Sequence, residues 1–220
     1  RAIGRVLDQL RAMKVFDDTL ILFMSDNGAS AEVMVRGDGH DPKEPLGSAF
    51  TYLCLGAGWS TASNTPFRMH KTWVHEGGAC TPLVAHWPKG IQARGELRQS
   101  QGHVIDVVPT VLELAGLPKA YPGPGAPAGP GCSLVSTFAK DVNVKRDYLW
   151  WAHEGNRAVR VADWKLVAAK DQPWELFDLS KDRAEARNLA DQFPGKVKEL
   201  ERLWQRGDAQ FIRDAGWEKK

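Results

Sequence analysis

"ILFMSDNGAS", residues Ile21 to Ser30, runs a block of apolar residues straight into an acid, an amide and a glycine. A continuous apolar run that ends in turn residues reads as a strand covered on both faces, as in a layered α/β domain. Apolar residues at Ile3, Val6, Leu7, Leu10 and Met13 recur at helical spacing just before it, so residues 1–14 are expected to lay one helical face on a core. Asp26 and Asn27 then stand at the carboxyl end of the strand, where open α/β sheets build ligand sites. A carboxylate and an amide oxygen are hard donors suited to Ca2+ or Mg2+, but about six to eight oxygens make a calcium site and two do not. Gly28 permits the chain to turn sharply. On these three residues alone a simple turn is the stronger reading, because Asn-Gly is itself a turn signal.

Downstream, the segment Ala29 to Arg68 is rich in glycine and polar residues and long for a structureless connection, which marks it as a functional loop. "TPLVAHWPKGI" reads as a second buried strand over Pro82 to Trp87, stopped by Pro88. "HVIDVVPTVLELAGLP" predicts a helix with Asp106 as N-cap, Pro109 in its first turn, and Gly116 with Pro118 as stop signals. Residues 118–131, "PKAYPGPGAPAGPG", can sustain neither a helix nor a central strand and mark a domain boundary. Beyond them, "DYLWWAHE", "RAVRVAD", "WKLVAAK" and "WELFDLS" are short strand patterns separated by turns. An amphipathic helix follows, with Phe193, Val197, Leu200, Leu203 and Trp204 on one stripe. The expected division is a domain over 1–117, a Pro/Gly-rich linker over 118–134 and a small α+β subdomain over 135–220.

With 43% hydrophobic and 25% charged residues the composition is that of an ordinary globular protein, and no apolar run approaches the roughly 20 residues of a membrane helix. A net charge of +2, with basic residues scattered, argues for neither nucleic acid nor membrane partners. Cys54, Cys80 and Cys132 are too few for a disulfide framework and form no C-x-x-C pair. "RAIGRVLDQLRAMKV" lacks the apolar centre of a signal peptide and an initiator methionine, so the chain is expected to be a portion of a longer product.

A second chemical candidate is "NTPFRMHKTWVHEGG", Asn64 to Gly78, which holds Arg68, His70, Lys71, His75 and Glu76. A lysine clamps an anionic oxygen as a compact cation, a histidine donates to it or moves protons, and Gly77 and Gly78 permit close backbone approach. A solvated basic loop reads equally well from these residues alone. Cys80 opens the second strand with no neighbouring cation in sequence, and reads as an inert thiol. The aromatics Tyr148, Trp150, Trp151, Trp164 and Trp174 read as packing before they read as a sugar platform.

Taken together, "DDTLILFMSDNGAS", "NTPFRMHKTWVHEGGACTPLVAHWPKGI", "GHVIDVVPTVLELAGL", "GNRAVRVADWKLV" and "WELFDLSKDRAEARNLA" resemble the C-terminal half of a sulfatase of the arylsulfatase type. The resemblance implies the C-terminal part of an alkaline-phosphatase-like mixed sheet with flanking helices, plus a small four-stranded antiparallel sheet with one helix. It implies Asp26 and Asn27 as metal ligands, for calcium or else magnesium, Lys71 as a sulfate contact and His75 as a further substrate contact. In that family the nucleophile is a formylglycine made within a C/S-x-P/A-x-R motif. Here Cys80-Thr81-Pro82 imitates the motif's start, but Val84 stands where arginine is required. The expected function is therefore sulfuric ester hydrolysis of an aryl or sugar sulfate, with metal- and sulfate-binding residues present, the nucleophile absent, and the isolated chain inactive. A phosphatase or phosphodiesterase of the same superfamily and a non-catalytic sulfated-glycan binding module are the alternatives. Association through an exposed sheet edge, or with a missing N-terminal part, is expected. The family resemblance implies a periplasmic, secreted or lysosomal location.

Overall fold

The computed structural model describes residues 1–33, 41–51, 54–117 and 129–217. Along the chain run α1 (Ala2–Ala12), β1 (Ile21–Met24), α2 (Gly56–Asn64), α3 (Glu76–Ala79), β2 (Leu83–His86), α4 (Val107–Leu114), α5 (Val135–Ala139), β3 (Leu149–His153), β4 (Asn156–Val161), β5 (Trp164–Ala168), β6 (Glu175–Asp178) and α6 (Pro194–Asp214). They divide into two compact units, one of Arg1–Met24 with Pro82–Arg146, the other of Ser25–Thr81 with Asp147–Lys220. Most of the Pro/Gly-rich stretch, residues 118–128, lies outside the described residues.

In the first unit β1 and β2 pair antiparallel, Ile21 opposite His86 and Met24 opposite Leu83. Both are more exposed than the apolar runs predict: Phe23, Leu83 and Val84 lie open, and every residue of β2 is exposed. The expectation of strands covered on both faces is corrected here, because a continuous apolar run requires a cover that the described residues do not supply. The apolar stripe of α1 is likewise open, with Ile3 and Val6 exposed and no residue of the helix buried. α4 ends as its sequence predicts. Gly116 adopts φ +68°, its N–H donates to Glu113 O, and Leu117 N–H donates to Leu112 O, which together make a Schellman stop.

Asp106 stands at the N-cap position of α4 as expected, but its side chain makes no cap hydrogen bond to the helix. It is fully buried, and its carboxylate accepts from the backbone N–H of His103 at 2.8 Å and of Cys132 at 2.8 Å. The guanidinium of Arg146 closes on both of its oxygens at 2.6 and 3.3 Å, while Asp106 O accepts from Thr110 Oγ1. One buried carboxylate thus ties the start of α4 to the chain on the far side of the Pro/Gly-rich stretch.

The second unit is built on the four-stranded antiparallel sheet β3-β4-β5-β6, in the order the strand patterns predict. The β3–β4 turn carries Glu154 and Gly155 at φ +49° and +84°, the two positive angles that suit a tight hairpin. Alternation sorts the side chains. Val159, Leu166 and Leu176 pack on Leu200 of α6, and Ala158, Val167, Phe177 and Leu179 pack on Val74. The tryptophans are packing elements: Trp150 stacks on Trp204 at 5.7 Å, and Trp150 Nε1 donates to Trp204 O while Trp204 Nε1 donates to Trp151 O.

Candidate functional site

Within the second unit the turn after β1 and the segment 64–80 come together through glycines. Gly28 N–H donates to Gly78 O at 2.9 Å, and the backbones are so close that a Cβ at Gly28 would lie 1.7 Å from Gly77 O. A Cβ at Gly77 would meet the carbonyl oxygens of Arg68 and Met69 at 2.3 Å, and one at Gly78 would meet Trp73 O at 1.9 Å. Close approach, rather than a left-handed backbone, is what requires glycine at position 28, which has no positive φ.

Ala29 extends the junction. Its carbonyl oxygen accepts from Lys71 N–H at 3.1 Å and from Ser60 Oγ at 2.8 Å, and its own N–H donates to Asn64 Oδ1 at 2.8 Å. Asn64 Nδ2 also donates to Met69 O at 3.1 Å. Ser60 is fully buried on α2, and its single hydroxyl proton goes to Ala29 O, so the 2.7 Å contact with His70 Nδ1 is a donation from the imidazole.

Asp26 is exposed, and among the described residues its carboxylate enters no hydrogen bond or ion pair. Asn27 donates through Nδ2 to Gly28 O at 3.0 Å, which leaves its amide oxygen as the group open to a ligand. Two unengaged hard oxygens fit a divalent cation such as calcium, as part of a coordination shell and not the whole of one. Among the described residues no three His, Cys, Asp or Glu side chains form a metal cluster. Lys71 Nζ lies 3.7 Å from Glu32 Oε1, with both side chains close to half exposed, a loose pair that an incoming anion can displace.

His75 goes elsewhere. The residue is fully buried as the N-cap of α3, its Nε2 lies 3.1 Å from Glu175 Oε2 on β6, and its Nδ1 is buried without a hydrogen-bond partner among the described residues. The same carboxylate oxygen accepts from Arg68 at 2.5 Å. The hydrogen bond from His75 and the charge of Arg68 hold the Glu175 carboxyl below the usual glutamate range, outweighing its partial burial. One turn on, Glu76 Oε1 lies 2.8 Å from Lys165 Nζ, and Lys165 reaches Glu185 Oε1 at 3.0 Å, an ion pair whose geometry falls short of a hydrogen bond at that oxygen. Burial pushes the Glu76 carboxyl up, but Lys165, Arg160 and Arg183 together hold it below its ordinary value. Cys80 does have a cation beside it: Arg183 lies 3.1 Å from its sulfur, brought from a distant part of the chain. Burial and the charge of Glu76 nevertheless push the thiol up, away from the thiolate form that attacks or ligates.

The structure therefore joins the Asp26–Gly28 turn to the backbone of Lys71 and turns His75 inward. Glu175, Lys165, Ser60 and Asn64 escaped sequence reasoning: the first two lie in ordinary strand patterns, Ser60 and Asn64 stand on α2, a helix inside the stretch Ala29 to Arg68 that reads as a structureless connection, and nothing local to any of them signals the partner it meets.

The family model described as "Sulfatase" matches residues 1–117, and the one described as "N-sulphoglucosamine sulphohydrolase, C-terminal" matches residues 67–206. An uncharacterized sulfatase of Schizosaccharomyces pombe is 31% identical over 92% of this chain and 40% of its own length. The N-acetylgalactosamine-6-O-sulfatase of Bacteroides thetaiotaomicron is 27% identical over 91% of this chain and 38% of its own. The solved structure of Ps i-CgsB in complex with k-i-k-neocarrahexaose superposes with a TM-score of 0.69 at 25% identity, covering 93% of this chain and 39% of that one. The chain thus spans about two fifths of the length of these relatives.

Proposed function

Because the chain belongs to the sulfatase family, we propose that it supplies the metal-binding turn and the sulfate-binding lysine of a sulfuric ester hydrolase acting on sulfated sugars. The observation that carries this reading is the backbone junction of Gly28 with Gly78 and of Ala29 with Lys71, which makes the acid–amide pair and the lysine parts of one rigid assembly. The sugar sulfate as substrate class is supported by the N-acetylgalactosamine-6-O-sulfatase among its relatives.

Asp26 and the amide oxygen of Asn27 would hold the cation, with the remaining oxygens coming from outside these residues. A bound divalent cation offsets negative charge on sulfate oxygens as the sulfur–oxygen bond breaks. Lys71 adds a second positive charge on the same anion, and it stands on a backbone fixed to Ala29, so little reorganisation accompanies binding. Hydrolysis itself requires a nucleophile. No C/S-x-P/A-x-R sequence occurs in these 220 residues, and burial pushes the Cys80 thiol up. We expect the isolated chain to bind sulfate and not to turn over.

Titration of the chain with inorganic sulfate at constant ionic strength, followed by NMR, tests the reading. Lys71→Ala is expected to weaken binding by about tenfold, the scale of one charge-assisted contact. Asp26→Ala is expected to abolish calcium binding measured by calorimetry. Unchanged sulfate affinity in Lys71→Ala, or hydrolysis of an aryl sulfate by the purified chain, would overturn it.

A further inference from the structure

We propose that Glu175, on β6 of the C-terminal sheet, is a positioning residue for the Lys71 loop, holding Arg68 on one side of the lysine and His75 on the other. The inference rests on the reading of Lys71 as the sulfate contact and adds what sets its place. Within the loop Gly77 N–H donates to Arg68 O at 2.8 Å and Trp73 N–H to His70 O at 3.1 Å, backbone bonds that leave the side chains of Arg68 and His75 to be placed from elsewhere. Met69 and Thr72, which flank His70 and Lys71, adopt φ +67° and +90°. A β-branched residue at such an angle is a strained one, and strain of this kind persists only where the surroundings over-determine the backbone.

Ala29 O, Ser60 and Asn64 hold Lys71 N–H, His70 and Met69 O, and a second set of determinants comes from the C-terminal sheet. Glu175 Oε2 takes Arg68 at 2.5 Å and His75 Nε2 at 3.1 Å. Asn156, at the start of β4, donates from Nδ2 to Thr72 O at 3.2 Å, on the strained residue itself. Just beyond the loop, Lys165 of β5 holds Glu76, and Glu185 accepts from Glu76 N–H at 2.9 Å. Glu175 is the member of this set that spans the lysine. His75 Nε2 carries the proton that faces the Glu175 carboxylate, while Nδ1 is buried and, among the described residues, has no hydrogen-bond partner. The carboxylate is thus the fixed point of the loop, and the imidazole and the guanidinium are its two arms. Among the described residues Arg68 Nε is buried without a hydrogen-bond partner, so Glu175 is the carboxylate that both arms share, with the Phe177 ring beneath the guanidinium at 5.3 Å.

Sulfate titrations of the 220-residue chain with inorganic sulfate as the probe, alongside its amide and imidazole NMR spectra, test the proposal. Glu175→Ala is expected to weaken sulfate binding by about fivefold to tenfold, shift the amide signals of Met69 to Thr72, and remove the hydrogen-bonded Nε2–H signal of His75. Glu175→Gln, which keeps one acceptor, is expected to restore part of the affinity. Leu176→Ala, its neighbour in the core, is expected to lower thermal stability and leave sulfate affinity unchanged, which separates placement from stability. Wild-type affinity and unmoved loop signals in Glu175→Ala, or in Glu175→Gln if the alanine variant does not fold, overturn the proposal. If Lys71→Ala binds sulfate normally, the sulfate reading itself has failed, and the loop signals still decide whether Glu175 places the segment.

Discussion

Lys165 is the residue whose type and place conflict most. A lysine in a strand reads as solvent-facing, yet this one is fully buried on β5 with carboxylates of Glu76 and Glu185 within 3.0 Å. Burial of an ion is tolerated when it is paired, and removal of one partner leaves the others uncompensated. Lys165→Ala is expected to destabilise the second unit by about 3–5 kcal/mol, measured by urea unfolding. Lys165→Met combined with Glu76→Gln and Glu185→Gln should recover much of that loss. Asp106 follows the same logic in the first unit. Its substitution by alanine would orphan Arg146 and two backbone N–H groups, and a loss of similar size is expected.

At the scale of elements, the glycine junction is the tightest geometry in the site. Gly28→Ala would place a methyl 1.7 Å from a backbone oxygen, which no side-chain rotation relieves. A cost of about 3 kcal/mol or more is expected, seen as a lowered melting temperature together with lost sulfate affinity. Much of this level was legible in the sequence. The alternation in β3 to β6, the stripe of α6 and the Gly116 stop all follow from local rules, and the structure reproduces them. The glycines of "EGG" were visible as places of close approach, though what they approach was not, and Gly28 of "DNG" was visible only as a turn residue. The partners of His75, Glu76 and Cys80 were illegible for a physical reason: they are side chains about 100 residues away, and no periodicity encodes a contact of that range. The two strands of the first unit were legible as strands, while their antiparallel pairing and exposure were not.

For the whole molecule, pH and concentration are the informative variables. Glu175 and Glu76 both have carboxyls held below their usual value. A group with a depressed native pKa contributes stability that is present above its unfolded value and disappears as pH falls through its folded value. Melting temperature is therefore expected to be level near neutrality and to fall below about pH 4, with a shallower fall in Glu175→Gln. Exposed Phe23, Leu83 and Val84 on the β1–β2 pair, with Ile3 and Val6 on α1, give the first unit a large apolar surface. Light scattering is expected to show association that grows with concentration and weakens in Phe23→Glu; a monodisperse monomer would count against it.

The second unit is assembled from two separated stretches, Ser25–Thr81 and Asp147–Lys220. A ribosome delivers the first of these long before the second, and contacts of such separation form only after a large loop has closed. The Lys71 segment must therefore wait, made early but unshaped, until β6 emerges to receive it. During synthesis the lysine loop is the part that a protease or a chaperone meets open, and the last strand of the sheet is the event that ends its exposure.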